Sequence, residues 1–225
     1  MVKSFRSLRR FSEVILATMG LTRLLFNDPI AFVLLIIPFL YSVVIHEVAH
    51  GWVANRMGDP TAKLLGRLSL NPLKHIDPIG TLMLFLVGFG WAKPVPINMN
   101  NIADRRKGLI FVSSAGVLAN ILLAFGILLV YRFLSLPSTE TLVKIVKYTF
   151  NINITLAALN LIPIPPLDGS KILMGFASRN TQYFLARIEP YGFFILIALL
   201  YMGRLDDFIG FIGGIIVMII NVLLP

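Results

Sequence analysis

What most constrains this chain is a set of apolar runs that stay uncharged long enough to cross a lipid bilayer. Residues 109–131 and 148–167 hold no Asp, Glu, Lys or Arg, and the run that starts at Pro29 reaches Asn55 with a single carboxylate inside it. A helix rising ~1.5 Å per residue needs about 20 such residues to cross ~30 Å of hydrocarbon. Lipid offers no hydrogen-bond partner, so the backbone must satisfy itself, and helices do so. Three spans are therefore expected at 29–55, 109–131 and 148–167. Two more are expected at 190–203 and 208–225, with Arg204, Asp206 and Asp207 in the turn between them. Residues 79–91 are apolar but too short to span. They end in Gly88-Phe89-Gly90, ahead of Lys93-Pro94-Val95-Pro96, and read as a re-entrant loop or short β-hairpin.

Composition agrees with a membrane class: 57% of residues are hydrophobic and 14% charged. The net charge of +9 comes from Lys and Arg in short loops between apolar runs, where topology and anionic headgroups account for it; no nucleic-acid signature is present. Cys is absent, which excludes a disulfide framework and a thiolate site. Lys3, Arg6, Arg9 and Arg10 precede a mixed segment holding Glu13 and Arg23, which fits an amphipathic helix at the membrane interface better than a cleaved signal peptide. The expected fold is an all-α polytopic membrane protein with about five transmembrane helices, a re-entrant loop or short β-hairpin, and an N-terminal amphipathic helix. Residues 1–28 form the interfacial segment. Residues 29–225 form one membrane-embedded domain, with a catalytic core over 29–173 and a C-terminal helical hairpin over 187–225.

The first apolar run contains His46-Glu47-Val48-Ala49-His50. Ionisable groups at membrane depth are expensive and mark function by default. On a helix, positions i and i+4 share a face, so His46 and His50 can grip one metal ion with Glu47 beside it. The chain has only three His, and two of them are here. The competing reading, two hydrogen-bonded histidines with Glu47 as their partner, leaves three ionisable groups in lipid without an ion.

A hydrolytic zinc site needs a third protein ligand and one open position. Asp168 follows the series Pro163-Ile164-Pro165-Pro166, which unwinds the backbone and can turn a carboxylate inward. Asp168 reads equally well as the N-cap of a helix starting near Gly169. His75 and Asp77 lie among Asn71, Pro72 and Pro78, where turn formation is the expected use. Asn120 and Asn153 read as interhelical hydrogen-bonding residues.

The segments HEVAH at 46–50, Gly66-Arg67-Leu68-Ser69-Leu70-Asn71-Pro72 with His75-Ile76-Asp77-Pro78-Ile79-Gly80, Gly88 to Pro96, and Asn160 to Gly169 together resemble the site-2 proteases, a family of intramembrane zinc metalloproteases. The resemblance implies one Zn2+ per chain, held by His46, His50 and Asp168, and Glu47 as the water-activating base. It implies that Asn160 helps hold substrate or its oxyanion, with an interhelical bond as its alternative use. Gly88, Phe89 and Gly90 would form a re-entrant loop near the site. Larger members carry regulatory domains for which no stretch here has the length.

The implied function is hydrolysis of peptide bonds within or next to transmembrane segments, for regulated intramembrane proteolysis or clearance of signal peptides and membrane stubs. Expected partners are transmembrane proteins or peptides and the bilayer, with no nucleic acid; a homo-oligomer stays open. The loops 56–78, 91–108 and 169–189 hold most of the Lys and Arg, whereas the opposite loops hold Arg132, Lys144, Lys147 and Arg204. The positive-inside rule then makes the first side cytoplasmic in a cell membrane, with the active site near that face. The N-terminal basic cluster counts against this bias.

Overall fold

A computed structural model describes residues 18–86, 90–134 and 139–224. Residues 1–17 of the expected interfacial segment 1–28 and the glycine-loop positions Gly88 and Phe89 lie outside the described residues. Helix α1 (Thr18–Asn27) packs against α2 (Pro29–Arg56) and α4 (Pro78–Leu86). Between α2 and α4 lies the short α3 (Thr61–Leu64). Then come α5 (Arg105–Phe133), α6 (Glu140–Asn160), α7 (Asp168–Phe176), α8 (Arg179–Ile188), α9 (Gly192–Tyr201) and α10 (Arg204–Leu223). Five helical stretches are long and apolar enough to cross a membrane: α2, α5, α6, Arg179–Tyr201 and α10. The all-helical membrane architecture expected from the apolar runs is what folds.

Local chemistry sets the boundaries. Asp28 accepts from Ala31 N at 2.9 Å, and Pro29 takes the first helical position, where the N–H that proline lacks would have no partner in the helix anyway. Asp104 caps α5 by accepting from the N–H groups of Arg106 and Lys107, both at 3.1 Å.

The third span is displaced from the apolar run that marked it. The helix covers Glu140–Asn160, not 148–167. Thr139 caps it at Leu142 N, and Lys144 pairs with Glu140 at 2.6 Å in the first turns, where long side chains reach the interface. It stops before Pro163, Pro165 and Pro166, which cannot continue a ladder. The last span likewise begins at Arg204, inside the expected turn. Gly203, at φ +68°, makes the turn in a left-handed conformation, and Asp206 and Asp207 occupy the first helical turn, where carboxylates complement the dipole.

Helix α5 is central and packs on α2, α6 and α7. The core joins Val117 and Ala124 of α5 to Phe150, Ile154, Ala157 and Ala158 of α6, then to Leu196, Leu205, Ile209 and Ile216 of the C-terminal pair. After α4 the chain doubles back: Gly80 lies against the carbonyl of Trp91, too close for any side chain. The return, residues 90–98, has no regular secondary structure, and Lys93 N donates to His75 O at 2.8 Å. No β-strand occurs among the described residues, and the turn itself falls outside them.

Candidate active site

Helix α2 places His46 and His50 one turn apart, facing α5. Both are buried, each 7% exposed, as is Asp168. Their rings meet edge to face at 4.6 Å between centroids. The close approach depends on Gly116 of α5. A Cβ there would lie 2.5–2.7 Å from His50 Nε2 and from His46 Cε1 and Nδ1.

Each imidazole is oriented through Nδ1. His50 Nδ1 is 2.7 Å from the carbonyl of Val112, and His46 Nδ1 is 2.6 Å from Asn120 Oδ1. A backbone carbonyl only accepts, so His50 Nδ1 donates and its Nε2 keeps a lone pair. Asn120 holds His46 in the matching sense. Partners of this kind fix the tautomer of a metal-binding histidine.

Asp168 arrives from the other side of the bundle. It is the first residue of α7; Leu167 is the capping residue, and no side chain caps this helix. The N-cap use of Asp168 is therefore not what the structure shows. Gly169 presses against the carbonyls of Leu161 and Ile162 at the end of α6, which leaves no room for a Cβ and brings the carboxylate inward. Asp168 Oδ2 is 3.1 Å from both His46 Nε2 and His50 Nε2, and the two Nε2 atoms are 3.0 Å apart.

These three atoms form a nearly equilateral triangle of lone pairs, and Asp168 Oδ2 has no hydrogen-bond partner. Three buried acceptors at this spacing repel one another unless a cation lies among them. Tetrahedral zinc with bonds of ~2.0–2.1 Å separates its ligands by about 3.4 Å, close to the triangle seen. The donor set fits: His46, His50 and Asp168 are the group among the described residues able to hold a metal ion.

Glu47, one residue along α2, accepts from the backbone N–H of Val95 through Oε2 at 2.8 Å. Val95 belongs to the return segment, which two further residues hold. Arg67 Nη2 donates to Lys93 O at 2.9 Å and Pro94 O at 3.2 Å. Asp59 Oδ2 accepts from Asn98 N, and Asp59 Oδ1 from the Asn101 side chain, both at 2.7 Å. Burial pushes the Asp59 carboxyl up, but bonds from the Thr61 hydroxyl, the Asn101 amide, and the backbone of Asn98 and Thr61 hold it below its ordinary value.

Not every expected residue joins the cluster. Asn160, at the end of α6, donates its Nδ2 to Leu156 O at 3.0 Å. Gly90 packs against Gly80 and Leu84. His75 and Asp77 make turns as expected: His75 Nε2 meets Ser69 O at 2.8 Å, and Asp77 accepts from Gly80 N at 2.7 Å. Asn120, Gly116, Val112, Val95 and Asp59 were not read as parts of the site. Asn120 alone carried a signal, as a polar residue in the middle of a span.

Two imidazoles and a carboxylate around one point inside a helical membrane bundle, with a second carboxylate alongside, define a metallohydrolase embedded in the bilayer. The profile described as peptidase family M50 matches residues 136–203, which include Asn160 and Asp168. The chain is 38% identical over 172 residues to YwhC of Bacillus subtilis, named as a zinc metalloprotease, covering 73% of this chain and 78% of the relative. It is 33% identical over 181 residues to Rip2 of Mycolicibacterium smegmatis, also named as a zinc metalloprotease, covering 78% and 69%. A zinc metalloprotease of Methanocaldococcus jannaschii is 27% identical over 158 residues, covering 70% and 38%. No solved structure matches. The chain belongs to peptidase family M50, the site-2 protease family. It is an integral membrane protein and a zinc metalloprotease of that family.

Proposed function

We propose that this chain cleaves peptide bonds within or next to transmembrane segments of membrane proteins. In this reading His46, His50 and Asp168 hold one zinc ion and Glu47 is the general base. The triangle of Nε2, Nε2 and Oδ2 atoms at 3.0–3.1 Å carries the proposal. Zinc bound there would bring the pKa of a water towards ~7 and polarise the scissile carbonyl.

The chain's own residues do the rest. Glu47 takes the proton of the attacking water and passes it to the leaving amine. The Val95 N–H on its Oε2 keeps the carboxylate in one orientation, so no reorganisation is needed at the moment of transfer. Asn160 donates to the developing oxyanion; its Nδ2 carries two protons, and the bond to Leu156 O uses one of them. A peptide in a transmembrane helix is already hydrogen-bonded and shielded, so the substrate must unwind first. The stretch around Gly88, Phe89 and Gly90 then receives it in extended form. Support comes from the return segment 90–98, which is outside any helix and touches Glu47 through Val95.

The loop charges put the site near the cytoplasmic face of the cell membrane. Along α2, His50 is about 9 Å and His46 about 15 Å from Arg56 at the helix end, below the surface but within reach of water. Substrates are membrane proteins cut to release a regulator, or membrane stubs and signal peptides being cleared. The test is to identify peptides released from membranes of cells carrying wild type or Glu47→Gln. Peptides present only with wild type support the proposal and distinguish the two substrate classes; identical peptides in both strains contradict it.

A further inference from the structure

His46 and His50 look equivalent in the sequence, but their orienting partners are not. His50 is set in one step by a backbone carbonyl. His46 depends on side chains from two other helices. We propose that Asn120 and Asn153, with Ser42, are positioning residues: a one-way hydrogen-bond chain that holds His46 in its Nδ1–H tautomer, so that the Nε2 lone pair faces the metal. The proposal rests on the metal site described above.

The direction of every bond follows from the far end. The carbonyls of Pro38, Thr149 and Ser42 can only accept. Ser42 Oγ donates its one proton to Pro38 O at 2.7 Å, so towards Asn153 it must accept. That places the Asn153 amide nitrogen on Ser42 Oγ and Thr149 O, both at 2.8 Å, and turns its Oδ1 towards Asn120. Asn120 must then donate, and its Nδ2 reaches Asn153 Oδ1 at 2.8 Å and Ser42 O at 3.3 Å. Only Asn120 Oδ1 is left for His46, at 2.6 Å, and His46 Nδ1 has to carry the proton. Oxygen and nitrogen of an amide are told apart by the partners they meet, and here each partner permits one assignment.

Burial makes the arrangement strict. Asn120 and Asn153 are fully enclosed and Ser42 is 2% exposed, so water cannot replace a lost partner. With Asn153 removed, one acceptor that fixes the Asn120 amide is gone. The longer bond to Ser42 O at 3.3 Å is then all that opposes a flip of the amide, which would present its NH2 to His46 Nδ1 and favour the Nε2–H tautomer, unable to bind metal through Nε2. Ordinary interhelical bonds would instead contribute only modestly to stability and leave the ring unchanged.

The three histidines of the sequence make a direct test practical. The full chain, labelled with 15N-histidine, purified metal-free in lipid nanodiscs and held at mildly alkaline pH, reports each ring's tautomer by NMR, with His46→Gln to assign the signal. Wild type is expected to show His46 as Nδ1–H. Asn153→Leu is expected to move His46 towards Nε2–H, leave His50 unchanged, and weaken zinc in chelator competition ~10–100-fold. Asn120→Asp, ionised and able only to accept, is expected to keep the Nδ1–H tautomer even though it no longer donates to Asn153 Oδ1 and Ser42 O. A folded Asn153→Leu chain with the wild-type tautomer and zinc affinity overturns the proposal. Should that variant not fold, Asn120→Asp decides alone, and an Nε2–H ring in it is the contrary result. If wild type shows the expected tautomer yet binds no zinc, the metal reading fails while the hydrogen-bond chain stands.

Discussion

Val95 donates its backbone N–H to Glu47 Oε2 at 2.8 Å, joining the return segment to the helix that carries both histidines. The bond uses no side chain of Val95, so only loss of the N–H removes it. Val95→Pro does this at a position already flanked by Pro94 and Pro96. Turnover should fall at least ~10-fold as the base loses its orientation, with zinc content unchanged. Steady-state cleavage of a membrane substrate beside metal analysis checks both halves; wild-type turnover in the variant would show that the bond is not needed.

Gly116 gives a sharper steric test. Both imidazoles are pinned at Nδ1, so neither can swing away from a Cβ at 2.5–2.7 Å. Gly116→Ala should displace a ring and weaken zinc by ~10–100-fold, since misplacements of about 1 Å are enough to disable a site. Gly126, on the same helix, has nothing within 4 Å of an added Cβ. Gly126→Ala should leave zinc binding intact and raise stability by ~0.5–1 kcal/mol. Chelator competition and thermal unfolding of the pair separate a site effect from a helix effect.

Zinc removal should destabilise the fold as well as stop turnover. An ion bound only by the folded state adds about 2.7 kcal/mol when free zinc is 100 times its dissociation constant. Stripping it returns Asp168 Oδ2 and the two Nε2 atoms to mutual repulsion at 3.0–3.1 Å. A strong chelator should lower the wild-type melting temperature, and added zinc should restore it. Asp168→Ala should melt alike with and without zinc.

Asp59 predicts a pH dependence away from the metal. Its carboxyl is held below the ordinary value in the folded chain by the bonds to Thr61, Asn101 and Asn98, against the opposing pull of burial. A depressed folded value means the unfolded state binds the proton more tightly, so the contribution is complete above the unfolded value of ~3.9 and is lost as pH falls through the folded one. Wild type should therefore be more stable than Asp59→Ala at neutral pH, with the gap closing in acid. A gap that stays constant down to the acid range would contradict this.

Much of the site could be read from residue spacing, and the rest could not, for physical reasons. The histidine pair is local: i and i+4 meet on any helix, so His46 and His50 were legible without tertiary information. Asp168 was legible as a carboxylate at membrane depth after helix-breaking prolines, but its two uses differ only in where the side chain points. Asn120 and Gly116 act through the register of α5 against α2, which no local pattern encodes. The span at Glu140–Asn160 was misplaced because hydropathy penalises Lys144 and Lys147, whereas long cationic side chains at a helix end reach the interface.

The most direct test of the central claim is the zinc K-edge absorption spectrum of purified full-length protein, read with zinc content per chain. One zinc per chain with two imidazole nitrogens and a carboxylate oxygen among its neighbours, falling towards zero in Asp168→Ala, is the predicted result. A folded wild-type protein that binds no zinc, or an Asp168→Ala chain with the wild-type spectrum and content, would contradict it.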